Sequence, residues 1–321
     1  MIIPIFIPHE GCPNECAFCN QRTISGSNKA PDMEKTKHII EQYLEEEKKA
    51  DQIAFFGGSF TGICVEKQNE YLSVASEYIK KGKAGSIRLS TRPDYIDAET
   101  VKRLAFYGVT NIELGAQSMD DRVLKISRRG HSCNDVERAS EIITGSKITL
   151  GLQMMTGLPG DSEEKCMHTA QRFRELGAQE TRIYPTVVLR GTELEKMYLI
   201  GEYTPHSVED AVQISAKVYR YFKNNSIKVL RIGLPDSAEL RENYVAGAYH
   251  PSIGEMVMSR DMRNRVEKEL CGKKDAIVRV NPKVLSKFNG NKKCNIEYFK
   301  EKGVNLNLII DDSTEEFSVL R

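Results

Sequence analysis

The segment His9-Glu-Gly-Cys-Pro-Asn-Glu-Cys-Ala-Phe-Cys19 follows directly on the apolar run from Ile2 to Ile7. It sets Cys12, Cys16 and Cys19 in a Cys-x3-Cys-x2-Cys array. Three thiolates from one tight loop can ligate three irons of a cubane cluster and leave the fourth iron without a protein ligand. A closed zinc site needs a fourth donor, for which His9 is a candidate although not at the usual spacing. The array points to an open metal cluster just past a first β-strand. A closed structural metal site, or cysteines gathered by chance, are the competing readings.

Outward from this loop, strands and helices alternate. Residues 29–49 carry Ile39, Ile40, Tyr43 and Leu44 at helical spacing, with Pro31 and Asp32 at the start. Residues 52–56 form a short apolar strand ending in Gly57-Gly58. A helix over 65–81, a strand over 86–90 and a helix over 97–107 follow. Next come a strand over 111–114, helical stretches in 121–143 and a strand over 148–155. A helix over 162–176 and a strand over 181–189 complete the series. Such alternation, repeated six times, implies parallel strands joined by helical crossovers. Polar motifs after nearly every strand fit a complete or partial (β/α) barrel, whose chemistry sits at the carboxyl ends of its strands. Cys12, Gly57, Arg92, Gln117 and Gly157 all fall at such ends. A doubly wound open sheet has the same alternation, and periodicity does not separate the two.

Residues 205–223 read as another amphipathic helix and 227–232 as a further strand. From Gly233 the period is lost, and 234–265 reads as a cap over the barrel mouth. Residues 276–321 read as strand, helix, glycine turn, helix and strand. The expected organisation is a barrel over 1–232, a capping and connecting region over 233–275, and a small α+β unit over 276–321.

A chain of 321 residues, 40% hydrophobic and 28% charged, is long enough for one large core and an appendage. A net charge of +1 leaves only a local basic patch as a nucleic-acid signal. No apolar run approaches the roughly 20 residues that span a bilayer, and a secretory leader is not apparent. The expectation is a cytoplasmic protein without a membrane partner. Eight cysteines do not make a disulfide framework at this length. Outside the triplet, Cys64, Cys133, Cys166, Cys271 and Cys294 are scattered, and most are expected as small core hydrophobes.

Several strand ends carry chemistry. Phe56-Gly57-Gly58-Ser59-Phe60-Thr61-Gly62 closes the second strand; paired glycines admit a ligand, and their carbonyls can accept from an ammonium group. Alone, such a pair is usually a tight turn. Leu89-Ser90-Thr91-Arg92-Pro93-Asp94 closes the third, or simply enters a helix capped by Asp97. Gly115-Ala116-Gln117-Ser118 closes the fourth, with Arg128-Arg129 beyond it. Paired arginines usually mark a solvated face, yet one guanidinium can hold a carboxylate bidentately. Gln153 to Asp161 closes the fifth, as a tight turn with an N-cap or as one wall of a nucleoside pocket.

The cysteine array resembles the cluster loop of radical SAM enzymes, with Phe18 as the aromatic before the third cysteine. That resemblance implies a [4Fe–4S] cluster on Cys12, Cys16 and Cys19, whose open iron chelates S-adenosylmethionine. It implies cofactor contacts from Phe18, Gly57, Gly58, Ser59, Ser90, Arg92, Gln117, Arg129 and Gln153. It also implies a partial (β/α)6 TIM-like barrel.

One branch is resembled more closely than others. Gly108-Val-Thr-Asn-Ile-Glu-Leu-Gly-Ala-Gln-Ser-Met-Asp-Asp121 and Arg129-Gly-His131 look like the catalytic subunit of Elongator. So do Thr91-Arg-Pro-Asp94, Met154-Met-Thr-Gly-Leu-Pro-Gly160 and Ile183-Tyr-Pro-Thr-Val-Val-Leu-Arg-Gly-Thr192. The likeness runs over about residues 2–232. Departures limit what it implies. The first cysteine gap is shorter here, and neither the N-terminal tRNA-binding segment nor the acetyltransferase domain of that subunit is expected. Acetyl-CoA-dependent tRNA carboxymethylation is therefore not carried over. Ser90 stands where glutamate is usual in that branch and in coproporphyrinogen-dehydrogenase-like proteins. Gln153 stands where the porphyrin branch shows aspartate, which counts against a haem-pathway role.

The stretch Val278-Arg-Val-Asn-Pro-Lys-Val-Leu-Ser-Lys-Phe-Asn-Gly290-Asn-Lys-Lys-Cys-Asn-Ile296 resembles a minimal KH module. In such modules a Gly-x-x-Gly loop clamps a nucleic-acid backbone. Here the loop is Gly290-Asn291-Lys292-Lys293, without its second glycine; Lys292 and Lys293 remain as phosphate contacts. The plainer alternative is a small α+β cap. In Ala246-Gly-Ala-Tyr-His-Pro-Ser-Ile-Gly254, Tyr249 and His250 are candidates to act on substrate, or a structural loop.

The function expected from these resemblances is cleavage of S-adenosylmethionine to a 5′-deoxyadenosyl radical that abstracts hydrogen, in RNA and preferentially tRNA modification. An electron donor such as flavodoxin or ferredoxin is the implied partner. A small-molecule or protein substrate is the alternative, as is a haem- or cluster-carrying chaperone of the coproporphyrinogen-dehydrogenase-like type.

Overall fold

The computed structural model describes residues 1–8, 10–13, 16–20 and 29–320. His9, the candidate fourth zinc donor, lies outside them. The first six strand–helix steps run β1 (Ile2–Ile7), α1 (Met33–Glu46), β2 (Ala50–Gly57), α2 (Val65–Lys80), β3 (Ala84–Thr91) and α3 (Ala98–Phe106). They continue through β4 (Val109–Gln117), α4 (Asp121–Ile126), α5 (Cys133–Thr144), β5 (Thr149–Thr156), α6 (Glu163–Glu175) and β6 (Glu180–Pro185). Helix starts follow local chemistry: Asp32, Asp97, Ser132 and Ser162 each accept from a first-turn amide.

The chain goes on through β7 (Val187–Leu189), α7 (Glu193–Leu199), α8 (Val208–Asn224) and β8 (Lys228–Ile232). Strands β1 to β6 and then β8 form one parallel sheet in sequence order. A doubly wound sheet reverses its strand order at a switch point; this one does not. It also curls. Neighbouring strands lie about 4.8 Å apart, so a flat sheet would hold β2 and β6 roughly 19 Å apart. Yet the Arg182 guanidinium on β6 lies 5.2 Å from the centroid of Phe56 on β2. Arg88 on β3 likewise reaches Glu180 on β6 at 2.7 Å. The result is a seven-stranded half-barrel. Its helix side takes Ile3, Ile5, Ile53, Phe55, Ile87, Leu89, Ile112 and Leu152 into one apolar core.

The strand expected over 181–189 is broken. Thr186 donates both its N–H (2.9 Å) and its Oγ1 (2.8 Å) to the Thr156 carbonyl. Beyond it, β7 leaves the barrel and pairs antiparallel with β9 (Tyr244–Gly247). The region expected to lack periodicity holds α9 (Ala238–Asn243), β9 and the start of α10 (Ile253–Leu270). Helix α10 escapes an apolar-period reading because Ser259, Arg260 and Asp261 are among its buried residues. There Asp261 meets Arg220 and Arg260 meets Glu209, both on α8.

The last strands and helices are β10 (Asp275–Val280), α11 (Leu285–Asn289), α12 (Cys294–Glu301), β11 (Asn305–Ile310) and β12 (Phe317–Leu320). β10 is central, parallel to β11 and antiparallel to β12. Val278, Val280, Phe288, Phe299 and Phe317 form a second core with Met262, Val266 and Leu270 of α10. That helix, which ends at Leu270, thus packs the connecting region against the small unit. The scattered cysteines were expected mostly in the core, but only Cys166 is buried; Cys64, Cys271 and Cys294 are exposed. Among the described residues no helix is long and apolar enough to cross a membrane.

Candidate active site at the barrel mouth

Alternation along each strand sends every second side chain into the half-barrel. The lower lumen is filled by a polar network. Glu113, 1% exposed, accepts from Arg182 Nε (2.6 Å) and Nη2 (3.0 Å), Arg88 Nη1 (2.8 Å) and Gln153 Nε2 (2.9 Å). Gly151 admits this carboxylate, since a Cβ there would meet Glu113 Cγ at 3.0 Å. Burial alone would raise the carboxyl pKa of Glu113; Arg182, Gln153 and Arg88 together hold it below its ordinary value. Gln52 and Asn111 extend the network to Arg88 and Glu180.

Above this floor the cysteine loop lies across the ends of β1 and β2. Gly58 N–H donates to the Ile7 carbonyl (2.7 Å) and Ser59 N–H to that of Glu10 (2.9 Å). A side chain at Gly58 would put Cβ 2.1 Å from the Glu10 oxygen, so the close approach requires glycine. The loop's far end is tied by Ala17 N–H to the Ser127 carbonyl (3.0 Å) and by Leu194 N–H to that of Ala17 (2.7 Å). Phe18 packs with Val188, Leu194 and Tyr203.

Arg129 comes to this loop from the segment after α4. Its Nη1 donates to Cys16 Sγ (3.1 Å), its Nη2 donates to the Gly115 carbonyl (2.5 Å), and its guanidinium lies 5.9 Å from the Phe18 ring centroid. Arg92 is buried too, but its fork is closed on Asp94 at 2.9 and 3.0 Å. Burial and the neighbouring Cys16 raise the Cys12 thiol pKa, against the pull of Arg129 and Arg92. Gln117 ends β4 in a left-handed conformation, φ 68°, a strain that non-glycine residues hold mostly at functional sites.

The other expected residues have defined partners. Ser59 is fully buried and structural in its contacts: its Oγ meets Thr91 Oγ1 (2.9 Å) and accepts from Arg92 N–H (3.2 Å). Gln153 Nε2, which donates to Glu113, also donates to Ser90 Oγ (3.4 Å). Tyr249 donates its hydroxyl to Asp236, in the segment before α9, and His250 Nδ1 accepts from Ser252 N–H (3.0 Å) within the β9–α10 turn. Gly290, Lys292 and Lys293 belong to the small unit. A Cβ on Gly290 would meet Cys294 Sγ at 2.6 Å and Ser259 Oγ at 2.9 Å, so this glycine serves the contact with α10.

Glu113 and Arg182 were given no site role from sequence, and His131 entered only as the end of the Arg129-Gly-His131 run. A charged residue between Ile112 and Leu114 was the available signal for the first. His131 is 7% exposed, its Nε2 donates to the Ala116 carbonyl (3.2 Å), and its pKa is pushed down to about 3 by burial, then by Arg129 and Arg92.

These residues fit an iron–sulfur cluster with a polar ligand beside it. The donors are thiols, and a cation faces one of them. Gln117 Oε1, Arg129 Nε and His131 Nδ1 are buried without a hydrogen-bond partner, three unmet groups around the end of β4. Among the described residues no three Cys, His or carboxylate side chains gather to chelate a single ion. Thiolates on separate corner irons require no such gathering.

The chain matches the Radical SAM superfamily model over residues 6–173 and the radical SAM C-terminal domain over residues 178–264. It is 30% identical over 163 residues to a tRNA uridine(34) acetyltransferase of Methanocaldococcus infernus, covering 47% of this chain and 30% of that protein. To Elongator complex protein 3 of Homo sapiens it is 26% identical over 262 residues, covering 72% of this chain and 47% of the relative. It thus spans less than half the length of either. Among solved structures, archaeal Methanocaldococcus infernus Elp3 with an N-terminal deletion shares the fold, with a TM-score of 0.64 at 21% identity, covering 84% of this chain and 62% of that one. These relatives are the Elongator-like branch that the motifs resemble. With residues 6–173 of its 321 matched by the superfamily model, the chain belongs to the radical SAM superfamily.

Proposed function

We propose that this radical SAM enzyme modifies RNA, with tRNA as substrate, in the cytoplasm. Its cofactors are the superfamily's [4Fe–4S] cluster and S-adenosylmethionine. Cys12, Cys16 and Cys19 would hold three irons. The Gly57 and Gly58 carbonyls would receive the methionine ammonium. Arg129 keeps a buried Nε without a partner and pairs with no carboxylate among the described residues, so it would take the methionine carboxylate, whereas the Arg92 fork is neutralised by Asp94. Ser90, Gln117 and Gln153 offer a hydroxyl and amides to the nucleoside, and Phe18 packs behind the loop. When bound and reduced by a donor such as flavodoxin or ferredoxin, the cofactors supply a 5′-deoxyadenosyl radical for hydrogen abstraction. The half-barrel orients the reactants and excludes water. Tyr249 and His250 stand in the cap segment, where His250 Nε2 is the ring nitrogen left for substrate.

One observation carries the RNA reading beyond the relatives' names. The lysine loop is pinned to α10 by Asn295, whose Nδ2 donates to the Ser259 carbonyl (3.0 Å) and the Phe288 carbonyl (2.8 Å). Ile253, at the start of the same helix, touches Gly233 at the end of β8. Ser259 lies six residues on, about 9 Å along the axis. RNA held by Lys292 and Lys293 would reach the barrel mouth.

Anaerobic reconstitution with iron and sulfide, followed by assay of 5′-deoxyadenosine with and without bulk tRNA, tests this reading. Stimulation by tRNA is expected, together with weaker tRNA binding in Lys292→Glu/Lys293→Glu. A cleavage rate indifferent to tRNA and undiminished binding would turn the assignment toward a small-molecule or protein substrate. Cys12→Ala, Cys16→Ala and Cys19→Ala should each lose the cluster absorbance.

A further inference from the structure

The lumen contains two phenylalanines that the cofactor contacts do not use. On β1 and β2 the alternate residues Ile3, Ile5, Ile53 and Phe55 turn into the core and are at most 1% exposed. Phe6 and Phe56, paired across those strands, turn the other way and are only half-buried. Their ring centroids lie 6.3 Å apart at 44°. Neither belongs to the apolar core that takes Phe55 and Phe60. They share this side of the sheet with the polar side chains of Gln52, Arg88, Ser90 and Gln153. Arg182, held by Glu113, stands over one flank of Phe56 at 5.2 Å.

Charge on this wall is unbalanced. Glu113 and Glu180 are taken up by Arg88 and Arg182. Arg231 on β8 lies in register with Arg182, so it faces the same lumen, and it is exposed. An apolar ring pair, polar groups around it and a surplus cation together complement a nucleotide: a base with apolar faces and polar edges, and a phosphate.

We propose that Phe6 and Phe56 form a stacking subsite for the nucleobase of the substrate, with Arg231 toward its phosphate. This rests on the RNA reading above and adds where the target base goes once it leaves its stack. β1 and β2 form one end of the strand order, and the rings stand beside Ser90 and Gln153, to which the cofactor's nucleoside is assigned, so the test separates the two ligands.

The chain contains no tryptophan, so Phe6→Trp installs a single indole in the lumen. Phe106→Trp, at a position 85% exposed on α3, is the outside control. Bulk tRNA should quench the Phe6→Trp emission of the reconstituted enzyme saturably, at the midpoint seen by gel shift, and leave Phe106→Trp unchanged. A gel shift without quenching would overturn the subsite while the RNA reading stands. Absence of any shift would overturn both. Quenching by S-adenosylmethionine alone would give the rings to the cofactor and overturn the subsite. A second pair of variants needs no fluorescence. Phe6→Leu should weaken tRNA binding about tenfold and Phe6→Tyr should restore it; equal affinities for the two would also overturn the proposal.

Discussion

Arg129 Nη1 lies 3.1 Å from Cys16 Sγ, joining residues 113 apart in the chain. A guanidinium at a thiolate ligand favours added negative charge, and cluster potentials respond to charge and to hydrogen bonds on sulfur. Arg129→Leu should lower the reduction potential of the reconstituted cluster by on the order of tens of millivolts, with Arg129→Lys between. Redox titration followed by electron paramagnetic resonance measures this; identical potentials in all three would remove the electrostatic role.

Glu113 is the centre of the lumen floor. Its removal would leave Arg182 without an ion-pair partner in a buried setting and Arg88 with Glu180 alone. Glu113→Ala should therefore cost about 3–5 kcal/mol in urea unfolding. Because its folded pKa is depressed, the carboxylate's stabilisation is present above the unfolded value of about 4.3 and fades as pH falls further. The variant should show a shallower loss of stability in that acid range than the parent protein.

His131 has the same sign of pH dependence, in a higher window. The ring is held neutral in the fold, its pKa near 3. The unfolded chain takes up a proton there below about pH 6.5. Stability is then fully present above that value and falls by about 1.4 kcal/mol per pH unit as pH drops toward 4. His131→Phe should flatten the stability profile between pH 6.5 and 4 by one proton's worth; a parallel profile would show that the site is not responsible.

Gly290 is fixed by two constraints, its φ of 76° with ψ of 169° and the contact with Ser259 and Cys294. Gly290→Ala should destabilise by about 1–3 kcal/mol and loosen the small unit from α10. Hydrogen exchange at α11 and α12 should rise while that of β1 to β5 stays constant. Unchanged exchange throughout would mean that the turn tolerates a side chain.

Much of the barrel was legible because it is built from local signals. Ile2 to Ile7, the glycines after Phe56 and the capped helix starts each announce themselves within a few residues. Gln117 and Arg129 were found as polar residues beyond a strand. The lumen floor was not, because Glu113, Arg182 and Gln153 lie on three strands and have meaning only once paired. Helix α10 was missed because its buried face carries Ser259, Arg260 and Asp261, satisfied by α8 rather than by apolar packing. The single strand expected over 181–189 failed because Thr186 bonds to Thr156, a partner 30 residues away.

Sequence by itself determined the cysteine spacing, the alternation of strand and helix, and hence a parallel sheet with chemistry at its carboxyl ends. Those follow from backbone and side-chain chemistry among near neighbours. Tertiary structure alone decided that the sheet curls into a half-barrel, that Arg129 faces Cys16 while Arg92 is closed on Asp94, and that Phe6 and Phe56 line the lumen. Each of these depends on sheet curvature and on contacts between distant segments, which bring Arg182 within 5.2 Å of the Phe56 ring across four strand spacings. No periodicity along the chain encodes such a distance.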